Sequence, residues 1–84
     1  MLHIENAEWL GGHLLRLMFD DGSEKVVDVL PLLQGPVFLP LHNVAAFSEV
    51  SIDPVARTIV WPNGADLAPE ALYSLASAEE IVRP

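Results

Sequence analysis

The pattern of apolar and polar positions predicts three strands in the first third of the chain. Apolar side chains alternate along His13–Phe19, Asp20-Asp21-Gly22 marks a tight turn, and Glu24–Leu30 returns as the partner strand. A short strand over Leu2–Trp9, with a bulge near Asn6-Ala7, precedes them. We expect Leu15, Leu17 and Phe19 to face the core.

A second hairpin and a helix are predicted in the carboxyl half. The hairpin joins Glu49–Ile52 to the β-branched and aromatic segment Thr58–Trp61. A helix begins at Pro69 and extends to Ala78, with Ala71, Leu72, Leu75 and Ala76 on its packing face and Tyr73 and Ser77 turned elsewhere. The sequence therefore predicts one α+β domain over residues 1–84, a small antiparallel sheet of about five strands with a C-terminal helix packed on it and a frayed tail over Glu79–Pro84.

The segment Pro31–Asn43 is rich in proline and in large apolar residues. Proline fixes φ and removes a backbone donor, so we expect a connection with single helical turns, followed by a short helix that Asn43 caps and that runs through Phe47. Its apolar side chains either fold back over the sheet or stay partly exposed as a docking surface. They are Leu32, Leu33, Val37, Phe38, Leu39 and Leu41.

The string from Trp61 to Leu67 admits two interpretations. In the first, Trp61 is a core residue, Asn63-Gly64 forms a turn, and Asp66 accepts hydrogen bonds from the first N–H groups of the helix. In the second, Trp61, Asn63 and Asp66 form a recognition patch, because Trp is enriched in interface hot spots.

Composition and charge limit the classes of partner and the compartment. Twelve acids against four Lys and Arg give a net charge of −8, which repels phosphate backbones and anionic membrane surfaces. The chain has no cysteine, which is typical of a reduced, cytoplasmic protein. Met1–Leu10 carries no Lys or Arg, and the apolar runs are too short to cross a bilayer, so neither secretion nor membrane insertion is expected.

The residue types needed for catalysis are present without the spacing that catalysis needs. His3, His13 and His42 lack metal-ligand spacing, and no serine lies in a nucleophile motif. The carboxylate pairs Asp20-Asp21 and Glu79-Glu80 fall in a predicted turn and in the tail. We expect both pairs to be solvated and to serve turn formation and solubility rather than acid–base catalysis. We expect no catalytic residue, no metal and no cofactor, and hence no enzyme.

The size of the chain favours association with a partner. Ordering 84 residues costs on the order of 126 kcal/mol. Burying about 8,400 Å², about 60% of it apolar, returns about 126 kcal/mol at about 25 cal/mol per Å². The isolated domain is thus near break-even, and remaining apolar surface would be covered by a second copy or by another protein.

Several strings together resemble a known family. They are Phe19-Asp20-Asp21-Gly22, Val27–Leu33, Gly35–Leu41, Ile52-Asp53-Pro54, Thr58–Leu67 and Pro69–Tyr73. The sequence resembles the small bacterial domain-of-unknown-function family twenty-four forty-two. The resemblance implies an acidic, antitoxin-like member of a two-gene toxin–antitoxin module that accompanies a small partner protein. Longer relatives append a helix-turn-helix, but with a charge of −8 and no such segment we expect no direct DNA binding here.

The sequence thus leads to two hypotheses. The first is a non-enzymatic protein-binding module that neutralises a small basic partner; the alternative is a self-associating, homodimeric structural or regulatory module. In the first, charge steers the encounter and apolar contacts hold the complex. The candidate partner-binding residues are Leu32, Leu33, Phe38, Leu41, Trp61, Asn63 and Asp66.

Overall fold

A computed structural model describes residues 1–78 of the protein as an α+β fold with five strands. The strands form two antiparallel sheets, β1-β2-β3 and β4-β5. The elements are β1 Ile4–Trp9, β2 Leu14–Phe19, β3 Glu24–Asp28, α1 Val44–Phe47, β4 Ser51–Asp53, β5 Thr58–Val60 and α2 Pro69–Tyr73.

The three-stranded sheet confirms the predicted hairpin and the predicted first strand. Leu15 pairs with Val27 and Leu17 with Lys25, while the register between β1 and β2 shifts between Ile4 and Asn6, next to the predicted bulge. Leu15, Leu17 and Phe19 are fully buried, as expected from their alternation. The core continues through the later segments and comprises Ile4, Leu15, Leu17, Phe19, Val27, Val29, Leu33, Leu41, Phe47, Ile59, Trp61, Ala65 and Leu72.

The second hairpin packs as a separate sheet beside the start of β1. Ile52 pairs with Ile59, and the backbone N–H of Ile4 donates to the carbonyl of Arg57 at 2.9 Å. Arg57 has a φ of 58°, the left-handed conformation that closes this turn. The far edge of β5 is covered by a bridge between Val60 and Asp66.

The proline-rich connection folds into single 3₁₀ turns, as predicted. One spans Leu30–Leu32 and the next Leu39–His42, each with a proline in its first turn. The side chain of Asn43 then accepts the N–H of Ala46 at 3.1 Å, which confirms the expected cap of α1.

The C-terminal helix is shorter than predicted. Pro69 is in its first turn as expected, but α2 ends at Tyr73 rather than at Ala78. At this end of α2, the carbonyls of Tyr73 and Leu75 accept hydrogen bonds from the ammonium of Lys25. Leu72 is buried as predicted, whereas Ala76 lies beyond the helix and is exposed.

Two details of the helix prediction were wrong. Asp66 does not cap α2: the N-cap is Ala68, without a side-chain bond, and Asp66 is engaged in the bridge to Val60. Tyr73 does not turn away from the sheet but packs edge-on against Phe19, with ring centroids 4.9 Å apart. The predicted frayed tail over Glu79–Pro84 lies outside the described residues. Along residues 1–78, no helix is both long enough and apolar enough to cross a membrane.

Candidate functional site

The turn that follows β5 is built around Trp61. Its backbone N–H donates to the carbonyl of Ala65, and its carbonyl accepts from Gly64, both at 2.9 Å. Gly64 has a φ of 89°, which an L side chain rarely adopts. The indole Nε1 donates to the buried carbonyl of Phe47 at 2.9 Å, so the aromatic ring anchors the turn to the end of α1.

Asn63 joins this turn to the proline-rich connection. Its Nδ2 donates to the carbonyl of Val37 at 3.0 Å, and its Oδ1 accepts the N–H of Ala65 at 3.0 Å. An amide has both a donor and an acceptor, and Asn63 uses each of them. The side chain therefore fixes the distance between two segments that are 26 residues apart.

A groove of about 190 Å³ lies between these segments. Leu41 and Trp61 are almost fully buried and form its floor; Trp61 is only 2% exposed. Glu49 is the one charged side chain in its lining, and it is exposed. The lining residues are Pro40, Leu41, Ala46, Glu49, Trp61, Pro62 and Asn63.

Exposed apolar side chains flank this groove. Val37, whose carbonyl is held by Asn63, is 46% exposed, and Leu39, next to Pro40 of the lining, is 60% exposed. Leu33 and Leu41 of the connection fold into the core, as the first alternative predicts. Val37 and Leu39 remain at the surface, where docking of a partner stays a prediction.

The structure brings three of the seven candidate partner-binding residues together. Leu41, Trp61 and Asn63 line the groove, two as its floor and one at its edge. Leu33 is a core residue, and Leu32 and Phe38 are half-buried against the core. Asp66 is exposed, but it is outside the groove lining.

Sequence reasoning did not identify Pro40, Ala46, Glu49 and Pro62 as lining residues. The two prolines are the direct neighbours of Leu41 and Trp61, so adjacency could have suggested them. Ala46 and Glu49 reach the groove only because α1 packs beside Trp61, a tertiary contact that leaves no periodic signal.

The three histidines serve separate parts of the fold. His3 Nδ1 pairs with the carboxylate of Asp20 at 3.0 Å, while His13 Nε2 bonds to the carbonyl of Leu41 at 2.9 Å and His42 Nε2 to that of Leu33 at 2.7 Å. His13 thereby ties the start of β2 to the floor of the groove. Within the part of the chain that the structure describes, no three His, Asp or Glu side chains come together as a possible metal site.

Hydrogen bonds lower the pKa values of two carboxylates in the β2–β3 turn. The backbone N–H of His3 donates to Asp20, and this bond is the main cause that lowers the pKa of Asp20. The hydroxyl and backbone N–H of Ser23 lower the pKa of Asp21, which also accepts from the Tyr73 hydroxyl at 3.0 Å. Both carboxylates are surface groups that organise the turn.

A family comparison matches most of this fold. The model described as "Protein of unknown function (DUF2442)" matches residues 4–78, from the first residue of β1 to beyond α2. The chain belongs to the DUF2442 family. Neither a curated protein nor a solved structure matches it significantly.

In this DUF2442 protein, the string Trp61–Asp66 that carried the resemblance has a defined structural purpose. Trp61 anchors the turn, Gly64 supplies its positive φ, Asn63 clamps the connection, and Asp66 bridges to β5. The string therefore builds one wall of the groove, which makes the groove the candidate functional site of the protein.

Proposed function

We propose that this DUF2442 protein is a non-enzymatic, cytoplasmic protein-binding module that neutralises a small basic partner protein, in the manner of an antitoxin. The observation that carries the proposal is the apolar groove beside Trp61, flanked by the exposed side chains of Val37 and Leu39. Membership of the family leaves the activity open, so the support comes from this surface and from charge.

The size of the groove favours a protein side chain as its occupant. Sites for small molecules enclose about 300–1,000 Å³, and the groove of about 190 Å³ is smaller. One apolar side chain of a partner would fit against Leu41 and Trp61, and the surrounding partner surface would cover Val37 and Leu39. Anchoring of one side chain in a pocket with a surrounding contact rim is the usual anatomy of a protein interface.

Charge favours a basic partner. The chain carries a net charge of −8, and Glu49 places a carboxylate at the groove itself. A cationic protein would be steered towards this surface at low ionic strength, whereas nucleic acids and anionic membranes would be repelled. We therefore expect the association rate to fall as salt is raised, and an unchanged rate would contradict electrostatic steering.

The proposal is tested by recovering the tagged full-length protein from its native host at low salt and identifying proteins present in stoichiometric amount. The identified protein is then produced alone and with this chain, and rescue of host growth is measured. A small basic protein that inhibits growth and is neutralised by this chain is the expected result. Recovery of the protein alone, as a dimer by light scattering, would favour the self-associating alternative.

A matched pair of variants connects the binding to the groove. Leu39→Ser removes an exposed apolar side chain beside the groove, whereas Val55→Ser removes one that is 89% exposed in the β4–β5 turn. We expect Leu39→Ser to weaken binding and rescue, and Val55→Ser to leave both unchanged. Equal effects of the two variants would show that binding does not use the groove.

A further inference from the structure

Within residues 1–78, nothing pairs with the outer edge of β1 along its carboxyl half. The N–H of Leu10 donates to the carbonyl of Leu14 at 3.0 Å, and the register continues this ladder through positions 8 and 6. In an antiparallel pair, alternate residues bond to the same neighbour. Ala7 and Trp9 therefore direct their N–H and C=O groups away from β2, towards the open side of the sheet.

The second hairpin reaches only the beginning of this edge. Its hydrogen bond to β1 joins the N–H of Ile4 to the carbonyl of Arg57, before the bulge. Among residues 1–78, no backbone hydrogen bond involves the outward groups of Ala7 or Trp9. In the described part of the chain, two donors and two acceptors thus keep strand geometry without a partner, as an added strand would require.

The side chains along this edge differ between the two faces of the sheet. Trp9 lies on the same face as Leu15, is 41% exposed, and is held in place by the bond from its Nε1 to the carbonyl of Gly12 at 3.0 Å. Glu8 lies on the opposite face, where its carboxylate accepts from Arg16 at 2.8 Å, and Glu5 is exposed nearby. The edge therefore presents an apolar ring on one face and carboxylates on the other.

We propose that the edge Ala7–Leu10 binds an extended segment of a partner protein in which cationic and apolar side chains alternate. Added as a strand, such a segment would bond to Ala7 and Trp9, cover Trp9 with its apolar side chains and set its cations beside Glu5 and Glu8. A second copy is disfavoured as the occupant, because two chains of charge −8 would bring their acidic edges together. This surface is separate from the groove, and its test does not depend on the proposed function.

The test uses the full-length protein and a capped eight-residue peptide of alternating Lys and Val. Titration is followed by amide NMR and calorimetry. We expect chemical-shift changes to concentrate at Ala7 and Trp9, and methylation of alternate peptide nitrogens to weaken binding by about tenfold, because it removes the peptide's donors but not its charge. Equal affinity of the methylated peptide, or shifts confined to the groove, would overturn the proposal.

A protein variant provides the second arm. Ala7→Pro removes an N–H that the fold does not use and places a ring on the open edge, so peptide binding should be lost while circular dichroism is retained. If Ala7→Pro does not fold, the comparison of the two peptides decides alone. A concentration-dependent dimer of the parent protein that Ala7→Pro abolishes would assign the edge to a second copy and overturn the proposal.

Discussion

At the scale of single residues, Trp61 belongs to the core and to the groove at once. Its ring packs at 5.5 Å from that of Phe47, its Nε1 satisfies a buried carbonyl, and its outer surface forms the groove floor. The interpretation of Trp61 as a core residue is therefore confirmed, whereas its part in a recognition patch stays a prediction. The shape of the candidate binding surface is consequently tied to the stability of the fold.

Replacing each tryptophan in turn compares the contribution of the buried Trp61 to stability with that of the half-exposed Trp9. Trp61→Phe leaves the Phe47 carbonyl buried without its donor and opens a small cavity, so we expect a loss of about 2–3 kcal/mol in the free energy of unfolding. Trp9→Phe, at a half-exposed position, should cost less than about 1 kcal/mol. Urea denaturation followed by circular dichroism measures both, and equal losses would contradict the role assigned to the Trp61 indole.

The lowered pKa of Asp20 predicts an acid-dependent loss of stability. Because the folded chain holds this pKa below its ordinary value of 3.8, the carboxylate stabilises the fold above that value, and the contribution is lost as the pH falls through the folded-state pKa. Asp20→Asn should therefore lose less stability than the parent between pH 5 and the acid range in urea titrations.

Glu5→Gln is the control for that comparison. Glu5 is an exposed carboxylate that makes no hydrogen bond to any described residue, so its removal should leave the acid dependence of the parent in place. If Glu5→Gln and Asp20→Asn flatten the profile equally, net charge rather than the bond from His3 governs it.

At the scale of elements, local sequence patterns predicted the secondary structure that depends on local interactions. The alternation of apolar residues predicted both hairpins, and the prolines predicted the single helical turns of the proline-rich connection. Asn43 predicted the start of α1. The end of α2 was misplaced because it depends on Lys25, which is 48 residues away from Tyr73 in the chain. The groove was predicted only in part for the same reason, since Glu49 and Ala46 join it through tertiary packing.

The contacts of Lys25 with the end of α2 lead to a prediction about the stability of this helix. Its ammonium binds the Tyr73 and Leu75 carbonyls and lies 5.4 Å from the centroid of the Tyr73 ring. Lys25→Met keeps the apolar stem and removes the charge, so we expect a loss of about 1–3 kcal/mol and faster amide exchange in α2. Lys25→Arg, which retains a cation, is the control. Unchanged exchange in Lys25→Met would show that α2 is held by Leu72 alone.

At the scale of the whole molecule, acidic charge on a small body is the dominant property. A net charge of −8 on 9.2 kDa is a high density of negative charge for a small protein. Arg16 counters this locally, because it contacts Glu8 on β1 and Glu24 on β3 and so links the three strands across one face. Such exposed pairs contribute little each, so mutual repulsion remains.

That repulsion predicts stabilisation by salt. Raising sodium chloride to about 0.2 M shortens the Debye length to less than about 10 Å, which should increase the free energy of unfolding at pH 7. Urea denaturation at several salt concentrations measures the effect, since urea is uncharged. A stability that falls with salt would show that attractive pairs such as Glu8–Arg16 outweigh repulsion.

The hydrogen bonds from Lys25 to the end of α2 have a consequence for chemical modification. Lys25 is the only lysine in the chain, and its amine is occupied by carbonyl oxygens of the helix end. The two carbonyl oxygens contact the Lys25 nitrogen and restrict the approach of an acylating reagent, so we expect Lys25 to react more slowly while α2 is in place than once it is released. The rate of acylation at Lys25, followed by mass spectrometry, therefore reports how often the end of the helix opens.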